Sequence, residues 1–178
     1  GFGMQLNPEA PDLEAPTLFT VLKAYVLLDD WLRSEIDVDL TRRITPFVDP
    51  FPREYARALC ATESPPRLDA LIDGYLAANP TRNRPLDMLP IFATLDADRV
   101  RAAVGPEHKL RPRPAFHYRL PDCRIDEPDW SVALEWNRWV RVERLALDSA
   151  RMTELAARFV ETHPQSWLDE ILSWLGDP

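Results

Sequence analysis

A histidine and an arginine lie on the same side of one predicted strand, where the chain changes from helical to extended periodicity. Apolar residues alternate through the run 113–122, and His117 and Arg119 fall between them on the opposite face. Imidazole can bind a metal or carry a proton, and guanidinium can hold an anion with two hydrogen bonds. The pair therefore indicates a site for a metal-bound or phosphorylated ligand. An ordinary edge strand with a solvated polar face is the alternative.

Polar side chains from three stretches form one set rich in cations and amides. Two alternate with apolar residues in a strand predicted over residues 2–7, three are consecutive in a proline-bounded turn, and two belong to the strand just described. The set is Gln5, Asn7, Arg82, Asn83, Arg84, His117 and Arg119. Such groups favour an anionic ligand, phosphate or carboxylate, over an apolar one.

Common catalytic motifs are missing from the sequence. There is no Walker-type phosphate loop, no Gly-x-Gly-x-x-Gly, no Gly-x-Ser-x-Gly and no His-Glu-x-x-His. With His108, His117 and His163 as the only histidines, an all-histidine metal site would need all three. Cys60 and Cys123 are far apart and predict neither a disulfide framework nor a zinc site.

Composition favours one folded domain over residues 1–178. Apolar residues make up 46% of the chain and there are six tryptophans, which argues against disorder. The formal net charge of -8 argues against a nucleic-acid partner. No apolar run approaches the length of a membrane span and no signal peptide is visible, so a cytoplasmic protein without a membrane partner is expected.

Helices must carry most of this fold. Helical spacing predicts a long core helix from Pro16 to about Ile36, with Asp29 and its charged neighbours on a solvated face. Shorter helices are predicted over residues 52–61, 68–79, 86–95, 98–104, 131–148, 151–161 and 166–175. The class is therefore α+β and helix-rich, with a few strands near residues 2–7 and 113–120.

Two of these helices carry specific packing predictions. In the helix capped by Ser131, the packing stripe is predicted to be Val132, Trp136, Trp139, Val140 and Leu147. The last helix is apolar on more than one face, which predicts docking on a larger body or on a partner.

Four runs occur in an order typical of a known family. They are QLNPE (5–9), TRNRPLDMLP (81–90), FHYRLP (116–121) and SVALEWNRW (131–139). Together they resemble the putative amidoligases, which belong to the glutamine-synthetase-like carboxylate–amine ligases. The resemblance implies antiparallel strands of a glutamine-synthetase-like sheet covered by helices. It also implies an enzyme that uses ATP and Mg²⁺ or Mn²⁺ to phosphorylate a carboxylate, whose acyl phosphate an amine then attacks.

The resemblance also implies roles for individual residues. His117 stands where the family has a carboxylate, and imidazole suits Mn²⁺ better than Mg²⁺. Carried over position by position, the roles are catalysis for Arg119 and Arg84, cofactor binding for Asn7, Arg82 and Asn83, and metal binding for His117 and Gln5.

The resemblance also implies that the chain is the carboxy-terminal part of a larger catalytic domain. The metal-binding glutamates would then precede Gly1, and this chain alone is expected to be inactive. Its partners would be carboxylate and amine substrates, small molecules or peptides, and the missing amino-terminal half, with a homo-oligomer left open. The alternative function is a non-catalytic, acidic helical module that binds another protein.

Overall fold

The computed structural model describes residues 2–37, 48–105 and 110–176. Within these ranges the chain is helix-rich with a small antiparallel sheet, which confirms the predicted class. The helices are α1 (Ala15–Ile36), α2 (Arg53–Ala61), α3 (Leu68–Ala78), α4 (Leu89–Leu95), α5 (Ala97–Val104), α6 (Val132–Leu147), α7 (Ser149–Glu161) and α8 (Trp167–Gly176). The strands are β1 (Phe2–Gly3), β2 (Leu86–Asp87), β3 (His117–Tyr118) and β4 (Asp122–Cys123).

The strand β3 lies between two antiparallel neighbours. On one side Tyr118 pairs with Leu6, and the N–H of each residue donates to the carbonyl of the other at 2.9 Å. On the other side Tyr118 pairs with Leu86 of β2. The alternative that His117 lies on an edge strand is therefore wrong, since both edges of β3 are paired.

The predicted strands over 2–7 and 113–120 do pair, but their ladder is interrupted. Gly3 pairs with Asp122, whereas Leu6 pairs with Tyr118, so three steps on one strand oppose four on the other. One extra residue between positions 118 and 122 is the mark of a β-bulge, which bends a strand and ends regular pairing. The bulge explains why this region forms two short strands rather than one long one.

The long helix α1 is the centre of the core, as its periodicity predicts. It contacts the three carboxy-terminal helices α6, α7 and α8, and also α2 and α3. Its Tyr25 packs edge-on against Tyr118 of the sheet, with ring centroids 5.8 Å apart. The buried apolar residues of sheet and helices form a single cluster.

Two local predictions were wrong. Leu86 and Asp87 form β2 instead of opening a helix, because they pair with β3 before α4 begins at Leu89. Asp29 is 7% exposed rather than solvated, since it accepts hydrogen bonds from Tyr25 Oη at 3.0 Å and Arg33 Nε at 2.9 Å.

The packing face of α6 was predicted only in part, because Trp139 is buried as expected but three other residues of the predicted stripe are exposed. Its buried residues are Glu135, Trp139, Val142 and Leu145, while Val132, Trp136 and Leu147 are 53%, 42% and 88% exposed. A salt-bridged glutamate, Glu135, thus lies on the buried face. Hydrophobic periodicity cannot predict this, because it assigns charged residues to the exposed face. The cap itself is confirmed, because Ser131 Oγ accepts from the N–H of Leu134 at 3.1 Å.

The last helix, α8, docks on its own chain. Trp167 and Ile171 are fully buried, and Trp167 Nε1 donates to the carbonyl of Leu27 in α1 at 3.0 Å. Trp167 also packs edge-on against Phe159 of α7, with ring centroids 4.9 Å apart. Two of the apolar residues that suggested an external partner are therefore buried against the chain itself, whereas Leu172 is 40% exposed.

Candidate functional site

The three paired segments bring polar side chains to one face of the sheet. Residues directly opposite each other in an antiparallel pair point to the same side, and Asp87 is directly opposite His117. On the other edge, Gln5 Nε2 lies 3.1 Å from His117 Nδ1 and 2.6 Å from Asn7 Oδ1. We call these residues and the two arginines beside Asp87 the polar face, which comprises Gln5, Asn7, Arg82, Asp87, His117 and Arg119.

The opposite side of β3 fixes the orientation of the polar face. Phe116 and Tyr118 pack against Trp139 of α6, with ring centroids 5.6 and 5.3 Å apart. All three residues are 2% exposed or less. Because alternate residues of a strand point to opposite sides, burial of these aromatics directs His117 and Arg119 away from α6.

His117 is a neutral hydrogen-bond donor in this arrangement. The Gln5 amide nitrogen is a donor, so its contact with His117 Nδ1 is satisfied by the tautomer in which Nδ1 accepts and Nε2 carries the ring proton. Burial, and then Arg82, Arg113 and Arg119, lower the pKa of His117 to about 4. Nε2 is buried, and none of the described residues forms a hydrogen bond with it. A buried polar atom without a partner needs an explanation, and an acceptor bound next to it would supply one.

Asp87 is the residue of this face that sequence reasoning missed. It is fully buried, its Oδ2 lies 3.2 Å from Arg82 Nε and 4.0 Å from Arg119 Nη1, and its Oδ1 accepts from the N–H of Leu89 at 3.1 Å. Burial raises the pKa of Asp87, and the two arginines oppose that effect. In the sequence, Asp87 follows closely after the Arg-Asn-Arg run, and this nearness could have indicated an ion pair. The prediction of a helix over residues 86–95 hid that signal.

Arg82 and Arg119 are brought together by this carboxylate and by the backbone. Arg119 Nη1 donates to the carbonyl oxygen of Arg82, and the Arg119 N–H donates to the carbonyl of Pro85 at 2.7 Å. The side chains of Arg82 and Arg119 remain 31% and 24% exposed. The two guanidinium groups are therefore held in place and still reach solvent.

Arg84 and Asn83 connect the same turn to the segment that precedes α2. Arg84 Nε donates to Asn79 Oδ1 at 2.8 Å and its Nη1 to the carbonyl of Pro50 at 2.7 Å. The Asn83 carbonyl accepts from the N–H of Asp49 at 2.9 Å. These contacts hold the Arg-Asn-Arg turn against the rest of the chain, and neither residue has a described contact with Asp87.

The surroundings of His117 suit an anion better than a divalent cation. The part of the chain that the structure describes contains no group of three or more His, Cys, Asp or Glu side chains that could hold a metal. Arg82, Arg113 and Arg119 are near enough to depress the pKa of His117, and their positive charge would repel a metal ion. The same charges attract phosphate or carboxylate oxygens.

A second polar cluster lies between the sheet and α6. Glu135 is 1% exposed, and its Oε1 accepts from Trp130 Nε1 at 3.0 Å and from Arg138 Nη1 at 2.7 Å. Glu135 Oε2 and the hydroxyl of Tyr118 are buried, and neither has a hydrogen-bond partner among the described residues. Burial, and then the charge of Glu135, raise the pKa of Tyr118 well above its usual value. Through Glu135 the cluster joins Trp130, in the segment before α6, to Arg138 of the helix.

The remaining candidate side chains carry no sign of chemistry. Cys60 is buried, which raises the pKa of its thiol to about 12 and leaves it protonated and inert. Cys123 is half-buried, and His163 is exposed as predicted. His108 lies outside the described residues.

Comparison with known proteins gives one finding. A family model described as "Putative amidoligase enzyme" matches residues 1–141, which include every residue of the polar face. Neither the curated proteins nor the solved structures contain a match to the chain. Among the described helices, none has the length and apolar character needed to cross a membrane.

Proposed function

The chain belongs to the putative amidoligase family, and on this premise we propose that it acts in an ATP-dependent enzyme that joins a carboxylate to an amine. The observation that carries the proposal is the polar face, where Arg82 and Arg119 share the buried carboxylate of Asp87 beside a neutral His117. Two partly exposed guanidinium groups and an imidazole N–H make a set of donors for phosphoryl oxygens.

The donors of the polar face match the charge changes of such a reaction. When bound, ATP supplies the phosphoryl group that turns a carboxylate into an acyl phosphate, which an amine attacks to form the amide and release phosphate. Negative charge is spread over the transferring phosphoryl oxygens, and fixed positive groups stabilise it. Arg119 and Arg82 would hold these oxygens.

Asp87 and Gln5 would act as positioning residues. Asp87 accepts from both the Arg82 side chain and the N–H of Leu89, so the arginine pair is tied to the start of α4. The Gln5 amide, 3.1 Å from His117 Nδ1, would favour the tautomer whose ring proton lies on Nε2. Preorganised donors of this kind need no rearrangement as charge develops.

Several finer assignments remain predictions. They are nucleotide binding by Asn7, Arg82 and Asn83, a catalytic role for Arg84, metal binding by His117 and Gln5, a single domain with a glutamine-synthetase-like sheet, and a cytoplasmic location. No step of the proposed mechanism uses a metal, because the described surroundings of His117 do not favour one.

The proposal is tested by measuring amine-dependent ADP release from the protein as its gene encodes it. Arg119→Ala should lower turnover by roughly a hundredfold or more, since a positioned transition-state donor is worth about that much. Arg119→Lys should restore only part of the rate, because lysine keeps the charge but not the planar fork.

The matched control is Arg67→Ala, which removes the same charge from a side chain that is 88% exposed. Circular dichroism confirms that each variant is folded. Full turnover in a folded Arg119→Ala variant would contradict the role of the polar face.

The alternative, a non-catalytic module that binds another protein, is favoured by one observation. Val132, Trp136 and Leu147 of α6 remain exposed in the described structure. A titration with ATP and Mg²⁺ or Mn²⁺ separates the two functions, because the module predicts no rise in melting temperature and the ligase predicts one.

A further inference from the structure

A concave pocket of about 320 Å³ lies on the helical side of the molecule, between α1, α6, α7 and α8. None of the residues of the polar face lines it. Its lining combines basic and apolar side chains, so it differs in character from both the sheet surface and the hydrophobic core.

Three arginines give the pocket its charge. They are Arg141 and Arg144 near the end of α6 and Arg151 in the first turns of α7. The only carboxylate that lines the pocket within the described chain is Asp148. The pocket therefore has two more positive than negative groups, on a chain whose formal net charge is -8.

The single carboxylate is already engaged by its own helix. Asp148 Oδ1 accepts from the N–H of Arg151 at 3.0 Å, which caps α7, and its Oδ2 lies 3.5 Å from Arg151 Nε. Among the described residues, neither Arg141 nor Arg144 forms an ion pair or a side-chain hydrogen bond. Two exposed guanidinium groups thus face the pocket without a protein anion to neutralise them.

The rest of the lining is apolar and includes an aromatic ring. Leu28, Leu145, Trp174 and Leu175 contribute this part. The guanidinium carbon of Arg151 lies 5.4 Å from the centroid of the Trp174 ring, a cation–π distance. An apolar group of a ligand could rest on these side chains while an anionic group reaches the arginines.

We propose that this pocket binds a small organic anion, in which a carboxylate or phosphate is attached to an apolar body. The charged part pairs with Arg141 and Arg144, and the apolar part packs on Trp174 and the leucines. Small-molecule sites commonly combine an apolar wall with a few charged groups that fix orientation.

The site is independent of the proposed ligase reaction. Arg144, Arg151 and Trp174 lie beyond residues 1–141, which the family model matches. A binding measurement therefore tests this site whether or not the polar face proves catalytic.

The experiment is isothermal titration calorimetry of the chain with phenyl phosphate, with phenylacetate and with inorganic phosphate. Wild type should bind both aromatic anions saturably and inorganic phosphate at least about tenfold more weakly, because only the aromatic probes fill the apolar part. Affinity should fall as sodium chloride is raised, since the arginines are exposed to screening ions.

The variant Arg141→Gln/Arg144→Gln removes both unpaired charges from exposed positions and should weaken binding at least tenfold. Arg67→Gln, a single charge change outside the pocket, should leave affinity within about twofold of wild type. The proposal would be overturned by no saturable binding of either aromatic anion to wild type, or by equal binding to wild type and the folded double variant. Inorganic phosphate binding as tightly as phenyl phosphate would overturn it as well.

Discussion

Burial and the positive charge around His117 determine its protonation state. A histidine beside an exposed carboxylate would gain a proton near neutral pH, but here burial and three arginines hold the pKa of His117 at about 4. The nearby Asp87 balances Arg82 and Arg119 and is fully buried. The residue types were visible in the sequence, whereas the protonation state depends on which charges the fold brings together.

The lowered pKa of His117 predicts acid sensitivity of the fold. The unfolded chain takes up a proton near pH 6.5, whereas the folded chain does not until about pH 4, so protonation stabilises the unfolded state between these values. Stability should therefore fall as pH falls, and this one group should remove about 2 kcal/mol of unfolding free energy between pH 7 and pH 5.

Urea unfolding of wild type and His117→Gln at pH 7 and pH 5, in buffer with a chelator, measures that effect. The variant has no imidazole to titrate, so it should lose about 2 kcal/mol less than wild type over this interval. Equal losses in the two proteins would show that His117 does not have the lowered pKa.

At the scale of the element, α6 shows how one helix serves two surfaces. Trp139 packs beneath β3 and Glu135 binds Arg138 and Trp130, while Trp136 points outward. The helix thus supports the sheet from the side opposite the polar face. Its exposed apolar residues Val132, Trp136 and Leu147 share a neighbouring flank of the helix, because at about 100° per residue their mean direction differs by roughly 100° from that of the buried residues.

Two tryptophans of α6 provide a matched comparison. Trp139→Ala should lower the free energy of unfolding by about 3 to 5 kcal/mol, because it opens a cavity under Phe116 and Tyr118. Trp136→Ala should cost less than about 1 kcal/mol, since that ring is 42% exposed. Denaturant unfolding of both variants provides the measurement, and similar losses would mean that the assigned faces of α6 are incorrect.

At the scale of the whole molecule, α1 connects the sheet to the carboxy-terminal helices. It contacts α6, α7 and α8, and Trp167 of α8 donates a hydrogen bond to its Leu27. Buried residues from both ends of the chain belong to one cluster. A single core of this kind favours a single cooperative unit.

Unfolding should therefore occur as one transition. Far-ultraviolet circular dichroism and tryptophan fluorescence should give the same urea midpoint for wild type, because helices and buried rings lose their structure together. Trp167→Ala should shift both midpoints downward by the same amount, through a loss of about 3 to 5 kcal/mol. Separate midpoints for the two signals would indicate that α8 unfolds on its own.

The sequence alone was sufficient for much of the architecture. Helical spacing predicted α1 and most of the shorter helices to within a residue or two, because each depends on local periodicity and on proline or glycine at its ends. Period-two alternation placed His117 and Arg119 on the face opposite Phe116 and Tyr118. Four short runs in order indicated the family, which the family model confirms.

Tertiary structure alone decided how the charged groups are used. Asp87 lies between Arg82 and Arg119 because β2 pairs with β3, which places Asp87 opposite His117, 30 residues further along the chain. A local sequence pattern carries no information about such a distant pairing. Asp29 and Glu135 take their hydrogen bonds from residues three to five positions away, so what the tertiary structure decided is that other elements cover these local pairs and exclude water from them. Local periodicity reports the backbone preference of a segment, whereas burial and pairing of charge depend on neighbours that only the fold brings into contact.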